Sequence, residues 1–145
     1  MLAFFIHLVV KMETIFTDII EGRKSGHIIF EDEKHVAILD KYPIDLGHSL
    51  LITKHPYERI TDMKKADVSE LFSLIPEIAN AILHATGAVA FSIAQNNGKE
   101  AKQIIPHVHV HIIPRYANRE TLWTKRGIPS DSELKELSEK IKNNF

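Results

Sequence analysis

The sequence of 145 residues contains no cysteine. Disulfide bonds and metal sites with thiolate ligands are therefore excluded, and nothing in the chain requires an oxidising compartment. A charge excess of either sign is also missing, because 18 Lys and Arg balance 19 Asp and Glu to a formal net charge of −1. This balance argues against a general nucleic-acid binder and offers no polybasic anchor for a membrane. We expect a cytoplasmic protein with neither nucleic acid nor membrane as a partner.

The chain also lacks an apolar run of the roughly 20 residues that span a bilayer. Residues 1–10, MLAFFIHLVV, are apolar but too few, and they lack the basic start and small-residue cleavage site of a signal peptide. Two interpretations remain for residues 1–11. They form an extra strand or ordered tail, or Met12 is the natural start and the segment is an artefact of the assigned start site. The second is slightly favoured.

Glycine and proline are few, six of each, and they do not cluster into a linker. No repeat or low-complexity tract divides the chain, which indicates a single domain. Apolar runs bounded by turn-like residues predict short strands. They lie at residues 27–30, 35–39, 49–53, 89–94 and 108–113, the last one closed by Pro114.

Apolar residues at spacings of three and four predict a main helix over residues 64–86, with Gly87 as its C-terminal cap. Pro76 falls inside this pattern and should kink or break the helix. A short helical turn at residues 15–20 and a charged helix at about 131–142 complete the prediction. Strands with short connections and one long helix favour an α+β domain on an antiparallel sheet.

The most informative segment is a row of alternating histidines, His107, His109 and His111, separated by Val108 and Val110. Side chains in a strand alternate between faces, so the three imidazoles should share one face at a spacing of about 6.5–7 Å. The aliphatic face should be buried beneath the helix. With an ordinary pKa near 6.5, one ring can be a neutral nucleophile while a neighbour donates a proton. The spacing of the rings is comparable to that of linked phosphates, so neighbouring imidazoles can contact different groups of one anionic substrate.

Two other interpretations of the row stay open at this level. The residues could be ordinary histidines on an amphipathic strand, although three in strict alternation make that less favoured. They could also bind metal, because His-x-His on a strand is a normal zinc ligand pair and Asp40 could be a further ligand.

The pattern His-Val-His-Val-His-Ile-Ile resembles the signature of the histidine triad (HIT) superfamily. The resemblance extends from about residue 15 to residue 115 and includes four further features. These are Asp40 with the Tyr42-Pro43 turn, Gly47-His48 before Leu50-Leu51-Ile52, the Asn96-Asn97-Gly98 loop, and Gln103. The family implies a five-stranded antiparallel sheet with one long and one shorter helix. It also implies a homodimer with a continuous sheet, and nucleotide hydrolysis or transfer through a nucleotidyl-histidine intermediate.

By position, the resemblance makes His109 the nucleophile, with His107 and His111 fixing its ring and contacting phosphate oxygens. His48 resembles the family's fourth histidine, which supports the triad, and Asp40 resembles the carboxylate that accepts the ribose hydroxyls. Asp40 could instead only cap the Tyr42-Pro43 turn. The remaining implied contacts are an apolar base slot of Ile15, Phe16, Ile19 and Ile38, and polar phosphate contacts from Asn96 and Gln103.

Two departures from the family pattern bear on the substrate. Lys102 and Ile104 flank Gln103, where relatives often have a glycine and a small polar residue, so the leaving group is left open. The Cys-x-x-Cys that holds a structural zinc in some members is missing. We therefore expect no metal and no cofactor.

These observations predict a HIT domain at residues 12–116, followed by a C-terminal tail with a helix at 117–145. The expected activity is cleavage at the α-phosphate of purine nucleoside phosphoramidates or dinucleoside polyphosphates. Two alternatives are a nucleotidyl transferase or phosphorylase, and a nucleotide-binding interaction module with vestigial hydrolysis.

Overall fold

A five-stranded sheet organises the chain in the computed structural model, which describes residues 13–145. The predicted N-terminal extension, residues 1–11, lies outside the described residues. The strands are β1 (Ile28–Glu31), β2 (His35–Leu39), β3 (Ser49–Thr53), β4 (Ala90–Ala94) and β5 (His109–Arg115). Their order in the sheet is β1-β2-β3-β5-β4, and every neighbouring pair is antiparallel. The predicted α+β fold is confirmed.

Within residues 13–145, four α-helices accompany this sheet: α1 (Ile15–Ile20), α2 (Lys65–Ser73), α3 (Ile75–Thr86) and α4 (Asp131–Lys142). The helix predicted over residues 64–86 is divided at Leu74, and Pro76 lies in the first turn of α3. Proline is tolerated there because the first amides of a helix have no intrahelical acceptor. Gly87 ends α3 in the left-handed conformation that a C-terminal cap requires. None of the helices described between residues 13 and 145 is long and apolar enough to cross a membrane.

The two faces of the sheet are covered differently. Val108, Val110 and Ile112 are fully buried and pack with Ile78 and Ile82 of α3, as the alternation predicts. On the opposite face, Val36, Ile38, Leu50 and Ile52 form a smaller cluster beneath Phe16 of α1. The short helix therefore covers the face that carries the histidines.

Helix α4 belongs to the main core rather than lying apart from it. Its bounds agree with the predicted charged helix, and its apolar side chains Leu134, Leu137 and Ile141 are buried. They pack with Ile29 of β1 and with residues of α3. The C-terminal segment is thus part of the same hydrophobic core as the sheet.

Strand β5 ends later than predicted. Strand β5 does not close at Pro114 but continues to Arg115, and Pro114 pairs with Phe91 of β4. Pairing between β5 and β3 ends at Ile112, so Pro114 lies where one side of the strand is unpaired. Proline is found in strands at such positions because it has no N–H to give to a ladder.

Candidate active site

The middle histidine of the row has a defined orientation. The Nδ1 atom of His109 is 2.6 Å from the backbone oxygen of His107. A carbonyl oxygen only accepts hydrogen bonds, so Nδ1 carries the ring proton and Nε2 holds the free lone pair. Burial lowers the pKa of His109, which favours the neutral ring. A neutral imidazole with an unprotonated Nε2 is the form that can act as a nucleophile.

His111 and His48 form a second unit beside His109. The Ile44 backbone amide donates to Nδ1 of His48 over 3.1 Å, so the proton of a neutral His48 ring lies on Nε2. That proton points to Nδ1 of His111 at 2.9 Å, which leaves the proton of His111 on its own Nε2. The ring centroids of His109 and His111 lie 5.0 Å apart, which is closer than the spacing predicted from the repeat of an extended strand. His111 therefore presents an N–H donor beside the lone pair of His109.

Close packing fixes His48 in this position. Gly47 precedes it with a φ of +97°, and a Cβ there would lie 3.0 Å from Thr86 Cγ2 and 3.2 Å from Pro114 Cγ. Any other residue would meet both a disfavoured backbone conformation and these contacts. The pKa of His48 is lowered by burial, which keeps the ring neutral in its hydrogen-bond chain.

His107 differs from the prediction. It lies before β5 rather than within it, and its side chain is completely buried. Its Nε2 donates to the Thr53 carbonyl over 2.6 Å, and its Nδ1 lies 3.4 Å from the Thr14 hydroxyl. Both ring nitrogens are therefore bonded inside the protein, and the implied contact of His107 with phosphate oxygens stays a prediction. Its carbonyl, which holds His109, is the group that faces the site.

A cavity of about 440 Å³ has no histidine among its lining residues within 13–145, but Phe16, which packs against His107 and His109, lines it. All four residues predicted for the base slot line it, with Asp40 at one side: Ile15, Phe16, Ile19 and Ile38. Three further aliphatic residues that line it, Leu39, Leu50 and Ile105, were missed from the sequence. Leu50 could have been found, because it pairs with His111 across β3 and β5 and paired residues share a face. We refer to this cavity as the slot.

Asp40 has two roles in the structure. One carboxylate oxygen accepts the backbone amide of Tyr42 at 2.8 Å, the turn-capping contact considered from the sequence. The other is 3.7 Å from Nε2 of His48. Asp40 also lines the slot, so its turn contact does not remove it from the site.

The loop of residues 95–103 is held by side-chain amides. Gln103 accepts the Gly98 amide at 2.7 Å and donates to the Glu58 carbonyl at 2.6 Å. Asn97 accepts the Ile60 amide, whereas the side chain of the half-buried Asn96 has no hydrogen-bond partner within residues 13–145. Neither Asn96 nor Gln103 lines the slot. The structure thus gives Gln103 a role in loop anchoring, and its phosphate contact stays a prediction.

Comparison with known proteins agrees with this geometry. The model of the HIT domain family matches residues 21–118. The chain belongs to the HIT family. The chain is 38% identical to adenylylsulfatase HINT3 of Arabidopsis thaliana over 116 residues, which cover 80% of this chain and 58% of that protein. It is 31% identical to adenosine 5′-monophosphoramidase hnt1 of Schizosaccharomyces pombe, covering 90% of this chain and 96% of that one.

Solved structures support the same assignment. A hypothetical histidine triad nucleotide-binding protein of Sulfolobus tokodaii superposes with a TM-score of 0.83 at 31% identity, covering 90% of this chain and 91% of that one. A zinc-bound histidine triad family protein of Mycobacterium smegmatis gives a TM-score of 0.82 at 28% identity, covering 92% and 93%.

The zinc of that relative raises the question of a metal in this HIT protein. Within residues 13–145, Asp40, His48 and His111 place donor atoms within 4.8 Å of one another. The proton on Nε2 of His48 does not fit a metal, because moving it to Nδ1 would set two donors against each other at the Ile44 amide. Cysteine ligands are missing from the whole sequence, and both nitrogens of His107 are already bonded. These residues form a hydrogen-bond network rather than a zinc site.

The neutral histidines of this HIT protein predict acid-sensitive stability. Burial, followed by the charges of His109 and His48, lowers the pKa of His111 to about 4 from an ordinary 6.5. At a pH between these two pKa values, His111 binds a proton in the unfolded chain but not in the folded chain. The contribution of neutral His111 to the free energy of unfolding should therefore be present in full above about pH 6.5. The free energy of unfolding should fall by up to about 3 kcal/mol as the pH drops to about 4. Urea titrations between pH 7.5 and 4.5 measure the loss.

The matched variants for this test are His111→Asn and His84→Asn, since His84 is exposed on α3. The first should flatten the pH dependence, and the second should leave it unchanged. An equal pH dependence in the His111→Asn variant and in the unmodified protein would show that His111 titrates normally.

Proposed function

We propose that this protein is a nucleotide hydrolase that cleaves at the α-phosphate through a nucleotidyl-His109 intermediate. The observation that carries the proposal is the free Nε2 lone pair of His109, fixed by the His107 carbonyl and set beside the N–H of His111. Membership of the HIT family supports nucleotide hydrolysis at the family level. The two named relatives, an adenylylsulfatase and an adenosine 5′-monophosphoramidase, favour an adenosine 5′-phosphoryl substrate.

In the proposed reaction the base enters the slot and the ribose hydroxyls bind Asp40. The lone pair of His109 Nε2 forms a bond to the α-phosphorus, and the bond to the leaving group breaks with its electron pair departing on that group, which takes up a proton from solvent where it is an amine. His111 donates a hydrogen bond to the phosphoryl oxygens, where negative charge develops in the transition state. Water then attacks the same phosphorus and gives up a proton to solvent. The N–P bond breaks with its electron pair returning to His109, and the nucleoside monophosphate is released.

A substrate panel tests this proposal. Purified protein is incubated with adenosine 5′-phosphoramidate, adenylyl sulfate and a dinucleoside polyphosphate, and the products are resolved by chromatography. We expect a nucleoside monophosphate from at least one of them. The transferase alternative predicts that added inorganic phosphate becomes part of the product. Tight monophosphate binding without turnover of any compound would favour the interaction module instead.

Asp40 gives a prediction about ribose recognition. Because one carboxylate oxygen is held by the Tyr42 amide, Asp40→Asn can keep the turn while removing the charge that accepts two hydroxyl protons. We expect the Kd for AMP to rise about tenfold to a hundredfold, a loss of roughly 1.5–3 kcal/mol for hydrogen bonds to a charged group. The Kd for 2′,3′-dideoxy-AMP, which lacks both hydroxyls, should change little. An equal loss for both ligands, measured by calorimetry, would contradict a ribose contact.

We propose in addition that the protein is a homodimer joined through β4. This strand lies at the edge of the sheet, and its side chains Phe91 and Ile93 are 42% and 46% exposed. They pair with Pro114 and Ile112 and thus continue the face that α3 covers elsewhere. An apolar, unpaired edge strand is a template for pairing with another strand, and a second copy would give one continuous sheet.

The double variant Phe91→Glu, Ile93→Lys should therefore be monomeric, whereas the unmodified protein should be dimeric at micromolar concentration by light scattering. Ile128→Glu is the matched control, because Ile128 is 77% exposed but lies outside the sheet. A monomeric unmodified protein would contradict the proposal.

A further inference from the structure

Thr14 connects the helix of the slot to the histidine row. It is the N-cap of α1, and its hydroxyl accepts the Phe16 amide at 3.2 Å. The same hydroxyl lies 3.4 Å from Nδ1 of His107. Since Nε2 of His107 already donates to the Thr53 carbonyl, a neutral His107 has its lone pair on Nδ1, and the Thr14 hydroxyl is the donor in this contact.

The contact matters because His107 is completely buried. Without the Thr14 proton, its Nδ1 would be a buried acceptor with no partner, which is costly. The other neutral tautomer does not relieve this cost, because its unprotonated Nε2 would face the Thr53 carbonyl oxygen, acceptor against acceptor, and its Nδ1 proton would have no partner. Burial lowers the pKa of His107, so becoming doubly protonated is not an easy alternative.

His107 in turn holds His109 through its backbone carbonyl. Phe16, the second residue of α1, packs edge-on against both rings, with centroids 5.6 Å from His107 and 5.0 Å from His109. Helix α1 also supplies Ile15 and Ile19 to the slot. We propose that Thr14 is a positioning residue, through which the helix of the slot fixes His107 and so the lone pair of His109. This inference rests on the proposed function.

Three variants and a control separate this role from simple helix capping. Thr14→Val removes the hydroxyl, Thr14→Ser retains it, and Thr14→Asp keeps a strong N-cap acceptor but has no proton to donate. The control is Thr17→Val, which removes the other half of the capping box without a contact to His107. We expect kcat to fall about three- to tenfold in Thr14→Val and Thr14→Asp, the range of one lost hydrogen bond. Thr14→Ser should retain kcat, and Thr17→Val should change KM only.

The second readout is the ¹⁵N spectrum of the histidine rings, which reports each tautomer without any turnover. The unmodified protein should show His107 protonated on Nε2 alone. Thr14→Val should keep the proton on Nε2 but shift the Nδ1 resonance, because Nδ1 loses its hydrogen-bond donor, and Thr14→Asp should give a doubly protonated ring, because the carboxylate accepts a hydrogen bond only from a proton-bearing Nδ1. Equal kcat and an unchanged His107 spectrum in Thr14→Val and Thr14→Asp would overturn the inference. If the unmodified protein turns over no nucleotide, the proposed function fails, and the His107 signals still decide the role of Thr14.

Discussion

Replacing His109 with alanine should lower kcat by about 10⁴-fold or more, because removal of a covalent nucleophile leaves only binding and the remaining donors. The loss should appear in kcat rather than in affinity. His109 is 8% exposed, and the slot proposed to bind the nucleotide is lined by other residues. We therefore expect the Kd for a nucleoside monophosphate to stay within about threefold of that of the unmodified protein, since one bond to the phosphate is lost.

Two further variants sharpen this prediction. His84→Ala removes an exposed histidine on α3 and should leave kcat unchanged. His111→Ala should reduce kcat by less than His109→Ala, because His111 donates a hydrogen bond and forms no covalent bond in the proposed reaction. If His109→Ala retains more than a few per cent of the activity, another group is the nucleophile.

Removing α4 should abolish folding, although the helix lies far along the chain from the histidines. Leu134, Leu137 and Ile141 are at most 8% exposed and belong to the main core cluster. Burial of three such side chains contributes roughly 5–9 kcal/mol, which is comparable to the whole stability of a typical domain. A chain that ends at residue 130 should give no cooperative thermal transition and should expose Ile29 of β1 to solvent.

A single substitution provides the graded form of the same prediction. Ile141 is completely buried, so Ile141→Ala should lower the free energy of unfolding by about 2–5 kcal/mol. Glu136→Ala, on the exposed side of the same helix, should change it by less than about 0.5 kcal/mol. A chain ending at residue 130 that unfolds cooperatively at the original temperature would show that α4 is dispensable and that the domain ends near residue 116.

The sheet was the most predictable part of the molecule. Strands β2 and β3 were predicted with their observed ends, because apolar runs between turn residues leave little choice. The charged helix was predicted with the bounds of α4 but without its contact, since one apolar stripe fits any complementary surface. The apolar pattern over residues 64–86 is the same for one kinked helix and for two helices, and the structure contains two.

The histidine row shows where strand periodicity fails. His109 and His111 lie in β5 as predicted, but His107 precedes it, where its amide bonds to the Ile105 carbonyl at 2.8 Å. The partners that hold its ring, Thr53 and Thr14, are 54 and 93 residues away in sequence. Local patterning contains no information about such contacts. The alternation therefore predicted that the rings of His109 and His111 lie side by side, but not the distant partners that hold the ring of His107.

The most direct measurement of the central proposal is to trap the covalent intermediate. The protein is mixed with an adenosine 5′-phosphoramidate or another turned-over substrate, quenched within milliseconds in alkali, digested and examined by mass spectrometry. We expect a nucleotidyl group on the peptide that contains His109, and none in the His109→Ala variant. Rapid turnover with no adduct, or an adduct on another residue, would contradict nucleophilic catalysis by His109.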